Sequence, residues 1–571
     1  MATENMDLKS TYRLLVGIIK PESGFLYVVM VYGIAISLLT LAVPIAVQTL
    51  INTVANIAST RAVIILALAL FITLFLSSVL SALRTRVMEY YERRVYARLT
   101  SNLSFKILNA SHSFFDGRRN TSLSQRYFDI MILQKNVPSL MVDGFALVLQ
   151  MLVGFTLVSF YHPVLFAFNI IILFTMYMIW KLFSGQAKRT AIELSNAKHA
   201  GAKWLTDIAT AHEFFKSSRH IDYAAENTEK HIAHYVAKHK HHFVFTFAQT
   251  VLFLLLYASA SAALLGLGGW LVVLGELSIG QLVAAELIMS AVFFGLSRFT
   301  VYLNLYYELY GAADKIGKAL LIPQEVEQTS ADKEARQGSL NSIKHNVINS
   351  SLHCHNLAIT RQGKHCQINL SLSAGSKAIV SATHSWIQHQ FINLLKYYES
   401  GHTGRMLLGD LEFSDYDAYQ LRQMIITIDR SLIIDCSIKD YLRMFAPQAS
   451  MADITNVLTQ LGLDQTIDAL AQQLDTRISP LGKPLQSAEM LILKLAAAIL
   501  AKPKILIINQ HFDALPPILR QQLIEQIATQ PFSVLYFTSH KMPDAFDTHI
   551  KLQATDEPLP ISKVPMQGEI I

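Results

Sequence analysis

Charged side chains vanish from long stretches of the first three hundred residues and return in dense groups between them. The run from Gly24 to Thr60 carries no Asp, Glu, Lys or Arg, nor does Ala62 to Leu83. Gly144 to Trp180 is a third such run, Phe243 to Gly275 a fourth, and Leu277 to about Tyr302 is interrupted only by Glu286 and Arg298. A helix crosses the hydrocarbon layer with about 20 apolar residues. The third run is long enough for two crossings hinged at Tyr161-His162-Pro163, so the pattern predicts six transmembrane helices. Past about residue 320 it changes: short apolar segments, Ala378 to Val380, Ile505 to Ile508 and Val534 to Phe537, alternate with polar stretches and suit the buried strands of an α/β sheet.

The segments between the spans set the orientation. Eight Lys and Arg lie between Arg84 and Arg119, and a second basic group runs from Lys188 and Arg189 through Lys198 and Lys203 to Lys240. Short outer turns at Asn52 to Arg61, Tyr161 to Pro163 and Gly275-Glu276 hold one Arg, Arg61. Basic connections stay in the cytoplasm, which places both termini there. Each inner connection exceeds 50 residues, so spans two to five are expected to continue past the membrane as long helices. The polar, amphipathic start, Met1 to Lys20, does not read as a cleavable leader.

Composition adds little to that frame. Of 571 residues, 52% are hydrophobic and 16% charged, too apolar for an ordinary soluble chain. The net charge of +6 is explained by the inner connections, so no nucleic-acid partner is expected. Cys354, Cys366 and Cys436 follow no zinc or redox spacing and read as reduced cytoplasmic thiols. His231, His234, His239, His241 and His242 invite a metal reading, but Lys230, Lys238 and Lys240 would oppose a bound cation, and no metal is expected. Glu286, ionisable inside span six, is open to two readings: a residue facing a substrate cavity, or a hydrated group near the outer end.

Several local sequences carry a family resemblance. Ser113-Phe114-Phe115-Asp116 lies in the first inner connection, and Gly275-Glu276-Leu277-Ser278-Ile279-Gly280-Gln281-Leu282-Val283 opens span six. Ile368 to Leu372 precedes the loop Ser381-Ala382-Thr383-His384-Ser385-Trp386-Ile387-Gln388-His389; Leu463 to Leu470 and Leu474-Asp475-Thr476 precede Leu485-Gln486-Ser487-Ala488-Glu489; Lys502 to Ile508 precedes Asn509-Gln510; and Ser533 runs to His540. In this order, over nearly the whole chain, these segments resemble the half-transporters of the ATP-binding-cassette (ABC) exporter family, in particular bacterial peptide and protein exporters. The fold implied is a membrane α-helical domain of six exporter-type spans followed by a cytoplasmic α/β ATP-binding-cassette-like domain. The expected divisions are 1–320 for the membrane domain with its helical extensions, 321–345 for a linker and 346–571 for the cassette. The resemblance implies a bacterial inner (plasma) membrane location. It also implies that Phe114 and Phe115, with Trp204 in the second connection, couple the two domains.

For the site, the resemblance implies ATP and magnesium as cofactors, and the residues argue against both. A phosphate-binding loop needs glycines whose amides converge on one anion, a lysine for the phosphates and a hydroxyl for magnesium. In place of that pattern stand Ser381, Ser385, Trp386, Ile387 and Gln388: no glycine remains, Ile387 occupies the lysine position and Gln388 the hydroxyl position. At the Walker B end, Asn509 replaces the aspartate that holds magnesium, and Gln510 the glutamate that polarises water. The signature motif is reduced to Leu485, Gln486, Ser487, Ala488 and Glu489, where the Glu489 charge either faces a partner's phosphate or turns away. Asp429 or a neighbour takes the place of the loop glutamine facing the membrane domain, Arg361 lies near the adenine-stacking position, and only His540 is kept, as a switch or as a packing residue. The sequence therefore predicts a degenerate cassette, a pseudo-ATPase, with nucleotide binding by another geometry the alternative. Three functions are open: a transport component, a non-transporting scaffold or regulatory partner, and an ordinary ATP-driven exporter. The first agrees best with an intact six-span frame. Its partners are the bilayer and either a second copy or a related half-transporter.

Overall fold

The computed structural model describes residues 8–40, 42–56, 60–115, 123, 125–325, 351–361, 363–399, 403–429, 433–540, 545–546 and 548–555. The chain divides into two compact units, Met1–Glu325 and Val326–Ile571. Most of the expected linker, residues 326–345, lies outside the described residues, as do Asp116, part of the first outer turn and the last residues of the chain.

The first unit is helical. An amphipathic α1 (Leu8–Ile19) precedes α2 (Ser23–Thr40) and α3 (Ala42–Asn56), which together form the first span; α4 (Thr60–Leu108) is the second. A short α5 (His112–Phe115) leads to α6 (Arg126–Ser139) and α7 (Phe145–Ser159), joined through a π-helical turn at Leu140–Gly144. Pro138 lies inside α6. Its missing N–H and the wide turn that follows locate the irregularity in span three. Then come α8 (Pro163–Thr210), α9 (Ser218–Val273) and α10 (Ile279–Leu320). Six helical segments among the described residues are long and apolar enough to cross a membrane, as expected. Their lengths, 46 to 56 residues for spans two, four and five, far exceed the roughly 20 a bilayer needs, so these helices run well past the length of a crossing. Span six differs from its sequence reading. Its apolar run fades near Tyr302, yet the helix continues to Leu320, because Leu309, Ala312, Ala313 and Ile316 bury on α1, α4 and α6.

The ends of these helices are written locally. Ser278 and Gln281 form a capping box that starts α10: Gln281 N–H donates to Ser278 Oγ at 3.1 Å, and Ser278 N–H to Gln281 Oε1 at 2.9 Å. His162 caps α8, its Nδ1 accepting from Val164 N–H at 3.2 Å, and its Nε2 lies 3.0 Å from Glu276 Oε2 in the other outer turn. Packing between spans three and six depends on Gly154, where a Cβ would overlap Val292.

The second unit is built on a parallel sheet of order β11-β3-β10-β9-β6, comprising β3 (Lys377–Ala382), β6 (Ile425–Ile428), β9 (Ile505–Ile508), β10 (Ser533–Phe537) and β11 (Thr548–Leu552). The three apolar segments picked out from sequence are its central strands. Successive side chains leave a strand on opposite faces. Thus Leu506, Ile508, Val534 and Tyr536 join one core with helices on that side, including α16 (Ser487–Ala501), while Ile505, Ile507, Leu535 and Phe537 join another. That second core is closed by α11 (Ser385–Leu395) and an antiparallel sheet of β1 (Leu352–Arg361), β2 (Lys364–Leu372), β4 (Thr403–Leu408) and β5 (Leu411–Glu412). Between these elements lie α12 (Ala418–Met424), α13 (Ile438–Phe445), α14 (Met451–Gln460) and α15 (Asp464–Asp468), with the two-residue strands β7 (Cys436–Ser437) and β8 (Arg477–Ile478), and α17 (Pro517–Ala528) follows β9.

Candidate functional site

In a doubly wound sheet a ligand site lies beyond the carboxyl ends of the strands, and here β3, β6, β9 and β10 deliver the residues singled out above. Strand β3 runs directly through Ser381 to Ala382, paired with Lys551 and Leu552 of β11. Thr383 N–H continues that ladder by donating to Leu552 O at 3.0 Å. Ser381 Oγ lies 2.9 Å from His549 Nε2, and Ala554 N–H donates to Thr383 Oγ1 at 3.2 Å. The loop is thus stitched to the neighbouring strand, and at least one amide that could face an anion is already engaged. None of residues 381–388 has a positive φ, whereas concave anion nests alternate right- and left-handed residues.

In the first turn of α11 Ser385 stays exposed, and the residues that follow turn inward. Ile387 is fully buried in the second core, and Trp386 packs against the same cluster. Gln388 is 4% exposed and donates from Nε2 to Asn509 Oδ1 at 2.6 Å. Asn509 is fixed in turn, its N–H donating to Ile428 O at 3.0 Å across the end of β6. The two positions assigned to magnesium, one after each of two strands, are therefore brought together and joined directly by a pair of neutral amides. Gln510 is exposed, as is His540, whose N–H donates to Thr538 Oγ1 at 3.0 Å. Thr538 Oγ1 also donates to Asp513 Oδ2 at 2.9 Å, and the Tyr536 hydroxyl donates to Oδ1 of the same carboxylate. Sequence reasoning passed over Asp513, because only the fold brings it to the end of β10.

At the signature position Leu485 is buried, and Gln486 is the N-cap of α16. Glu489 turns back on its own helix, its Oε2 accepting Gln486 N–H at 2.7 Å. Asp429 pairs with Lys494 of α16 at 3.3 Å and lines a cavity of about 500 Å³ with Tyr441, Met444 and Phe445. Arg361, at the end of β1, is exposed.

The residues expected to couple the domains lie within the membrane unit as follows. Phe114 and Phe115 form an edge-to-face pair 5.4 Å apart, half-buried against the core of α1, α4 and α6. Trp204 donates from Nε1 to Thr228 Oγ1 at 2.8 Å and contacts His231 and Phe215, tying α8 to α9 at their turn. Glu286 accepts from Ser290 Oγ at 3.0 Å through Oε1, and its Oε2 has no partner among the described residues.

Residues 26–297 match the family model for the ABC transporter transmembrane region. The chain is 22% identical over 446 residues to the alpha-hemolysin translocation ATP-binding protein HlyB of Escherichia coli O157:H7. It is 21% identical over 448 residues to the leukotoxin translocation ATP-binding protein LktB of Mannheimia glucosida. Both matches cover 76% of this chain and 60% of the relative, so the chain matches about 60% of the length of these curated proteins. Among solved structures, a bacterial Atm1-family ABC exporter with ATP bound superimposes with a TM-score of 0.71 at 16% identity, covering 94% of this chain and 92% of that one.

Proposed function

We propose that this chain, whose residues 26–297 match the ABC transporter transmembrane region, is an exporter-type transport component whose own cassette does not hydrolyse ATP. The observation that carries the reading is the 2.6 Å hydrogen bond from Gln388 to Asn509. A magnesium ion bridging nucleotide phosphates needs oxygen ligands with negative charge around it; two amides bonded to one another offer neither charge nor room. Ile387, buried in the core, supplies no cation for the phosphates. Gln510 has no basic oxygen with which to take a proton from water. The stitched loop, without a left-handed residue, adds a backbone that does not converge on an anion.

The rest of the reading follows from the exporter frame. The chain spans the bacterial inner membrane with both termini in the cytoplasm. It works as a pair, with a second copy or with a related half-transporter. Because the signature motif is altered together with the phosphate loop, a pairing with an intact half would leave neither composite site in the usual form. That favours a second copy or a regulatory partner.

The test is phosphate release by the purified full-length chain in nanodiscs, with an intact exporter of the same class beside it. Background-level release with magnesium and ATP is expected. Turnover that disappears in Gln510→Ala or His540→Ala would overturn the reading.

A further inference from the structure

The membrane unit holds a cavity of about 360 Å³ between α6, α8, α9 and α10, a volume within the range of small-molecule sites. At one side of it α8 and α10 pack closely. Gly311 permits that approach: a Cβ there would come 3.1 Å from Ser195 Cβ and 3.3 Å from Ala191 O. Ser195 is 8% exposed, and its Oγ has no hydrogen-bond partner among the described residues. A buried hydroxyl left in that state costs about 1–3 kcal/mol, and a ligand atom in the cavity would relieve the cost.

The walls bear one charge of each sign. Lys198 contributes an ammonium, 3.9 Å from Asp129 Oδ1. That carboxylate already has a closer partner in His199 at 2.9 Å, which leaves the Lys198 charge only loosely engaged. Glu308, on α10, accepts from the Asn136 amide at 2.9 Å through Oε2 and forms no ion pair among the described residues. His239 and His242 add ring nitrogens from α9. His242 Nδ1 lies 2.8 Å from Thr190 Oγ1, which ties this ring to α8. Ile132, Leu194 and Phe243 supply apolar wall.

We propose that this cavity binds a small zwitterion, a compact molecule of amino-acid to dipeptide size carrying one ammonium and one carboxylate. A pure cation would meet Lys198 and a pure anion would meet Glu308, each unfavourably, whereas a zwitterion pairs with both. The ammonium is received by Glu308, and the carboxylate by Lys198 and the Ser195 hydroxyl. The site belongs to the membrane unit alone and is independent of whether the cassette hydrolyses ATP.

The experiment is equilibrium binding to the full-length chain in nanodiscs, without nucleotide, using three probes of matched size: dialanine, its C-terminal amide (cation only) and its N-acetyl form (anion only). Saturable dialanine binding is expected, with each singly charged probe at least about 10-fold weaker, the scale of one charged hydrogen bond. Glu308→Gln should weaken dialanine about 10-fold while leaving the N-acetyl probe unchanged or tighter, and Lys198→Met should do the converse with the amide. Ser195→Ala should cost dialanine a few-fold, and Gly311→Ala, which narrows the cavity on that side, at least as much. Tryptophan fluorescence and gel filtration of each variant distinguish lost binding from lost fold. Equal binding of all three probes, insensitivity to both charge variants, or no saturable dialanine binding by the folded wild-type chain would each overturn the site. None of these outcomes bears on the cassette, and ATP turnover would overturn the functional reading while leaving the site intact.

Discussion

Gln388 and Asn509, 121 residues apart in the chain, share a hydrogen bond of 2.6 Å between the first turn of α11 and the end of β9. On the functional reading proposed above, it closes the seam that magnesium and phosphate would have to open. Removing one partner leaves a mostly buried amide unsatisfied, which costs about 1–3 kcal/mol, and contacting residues couple by about 0.5–3 kcal/mol. Gln388→Ala and Asn509→Ala should each lower the denaturant midpoint of the cassette, and the double variant should lose less than the sum. Additive losses in a double-mutant cycle would show that the bond contributes nothing to stability. Magnesium and ATP should leave the midpoint unchanged in every member of the cycle.

Glu489 caps α16 by accepting Gln486 N–H at 2.7 Å. Removing a capping group costs about 0.5–2 kcal/mol, so Glu489→Ala should destabilise the cassette by about 1 kcal/mol in urea melts. Glu489→Gln, which keeps an acceptor and loses the charge, should cost less. An unchanged midpoint in the alanine variant would mean that this carboxylate is not bound to its helix in solution.

Orientation is open to a labelling test. The three native cysteines are buried, so a single introduced thiol dominates modification by an impermeant reagent. On intact cells Glu276→Cys, in the outer turn before α10, should label, and Glu229→Cys, on the exposed inner part of α9, should label only after permeabilisation. Labelling of Glu229→Cys from outside would reverse the topology.

Lys396 should give the cassette a stability that rises with pH. Burial, with the Arg422 charge adding, holds its ammonium down to about 8 from an ordinary 10.5, and its Nζ donates to Ile425 O at 2.7 Å. Between those two values the unfolded chain binds a proton that the folded chain has released, so folding stability rises with pH through that window. The gain is on the order of 3 kcal/mol. Lys396→Met should flatten this rise relative to wild type. Trp386, packed on the second core, reports the transition in a background whose Trp180, Trp204 and Trp270 are phenylalanine. Parallel slopes in the two proteins between pH 8 and 10.5 would reject the assignment.

What the sequence by itself determined is what local composition can encode. An uncharged run of about 20 residues has one low-energy solution in hydrocarbon, because every backbone polar group must pair within its own helix. Six spans were therefore legible from Gly24 to Tyr302 without any contact being known. Strands β3, β9 and β10 were legible for a related reason: short apolar runs such as Ile505 to Ile508 suit a sheet covered on both faces. The absence of glycine and lysine from Ser381 to Gln388, and the amides at Asn509-Gln510, were readable residue by residue. Only the tertiary structure decided what fills the space. That Gln388 finds Asn509, that Glu489 turns to its own helix, that α10 runs on to Leu320, and that Lys198 and Glu308 line one cavity with Ser195 are all outcomes of packing between distant segments. A hydrogen bond spanning 121 residues leaves no trace in the composition of either end, since each amide is equally at home on a solvated surface. Its partner is chosen by the register of β9 against β10 and of β10 against β3, which aligns the ends of strands far apart in sequence.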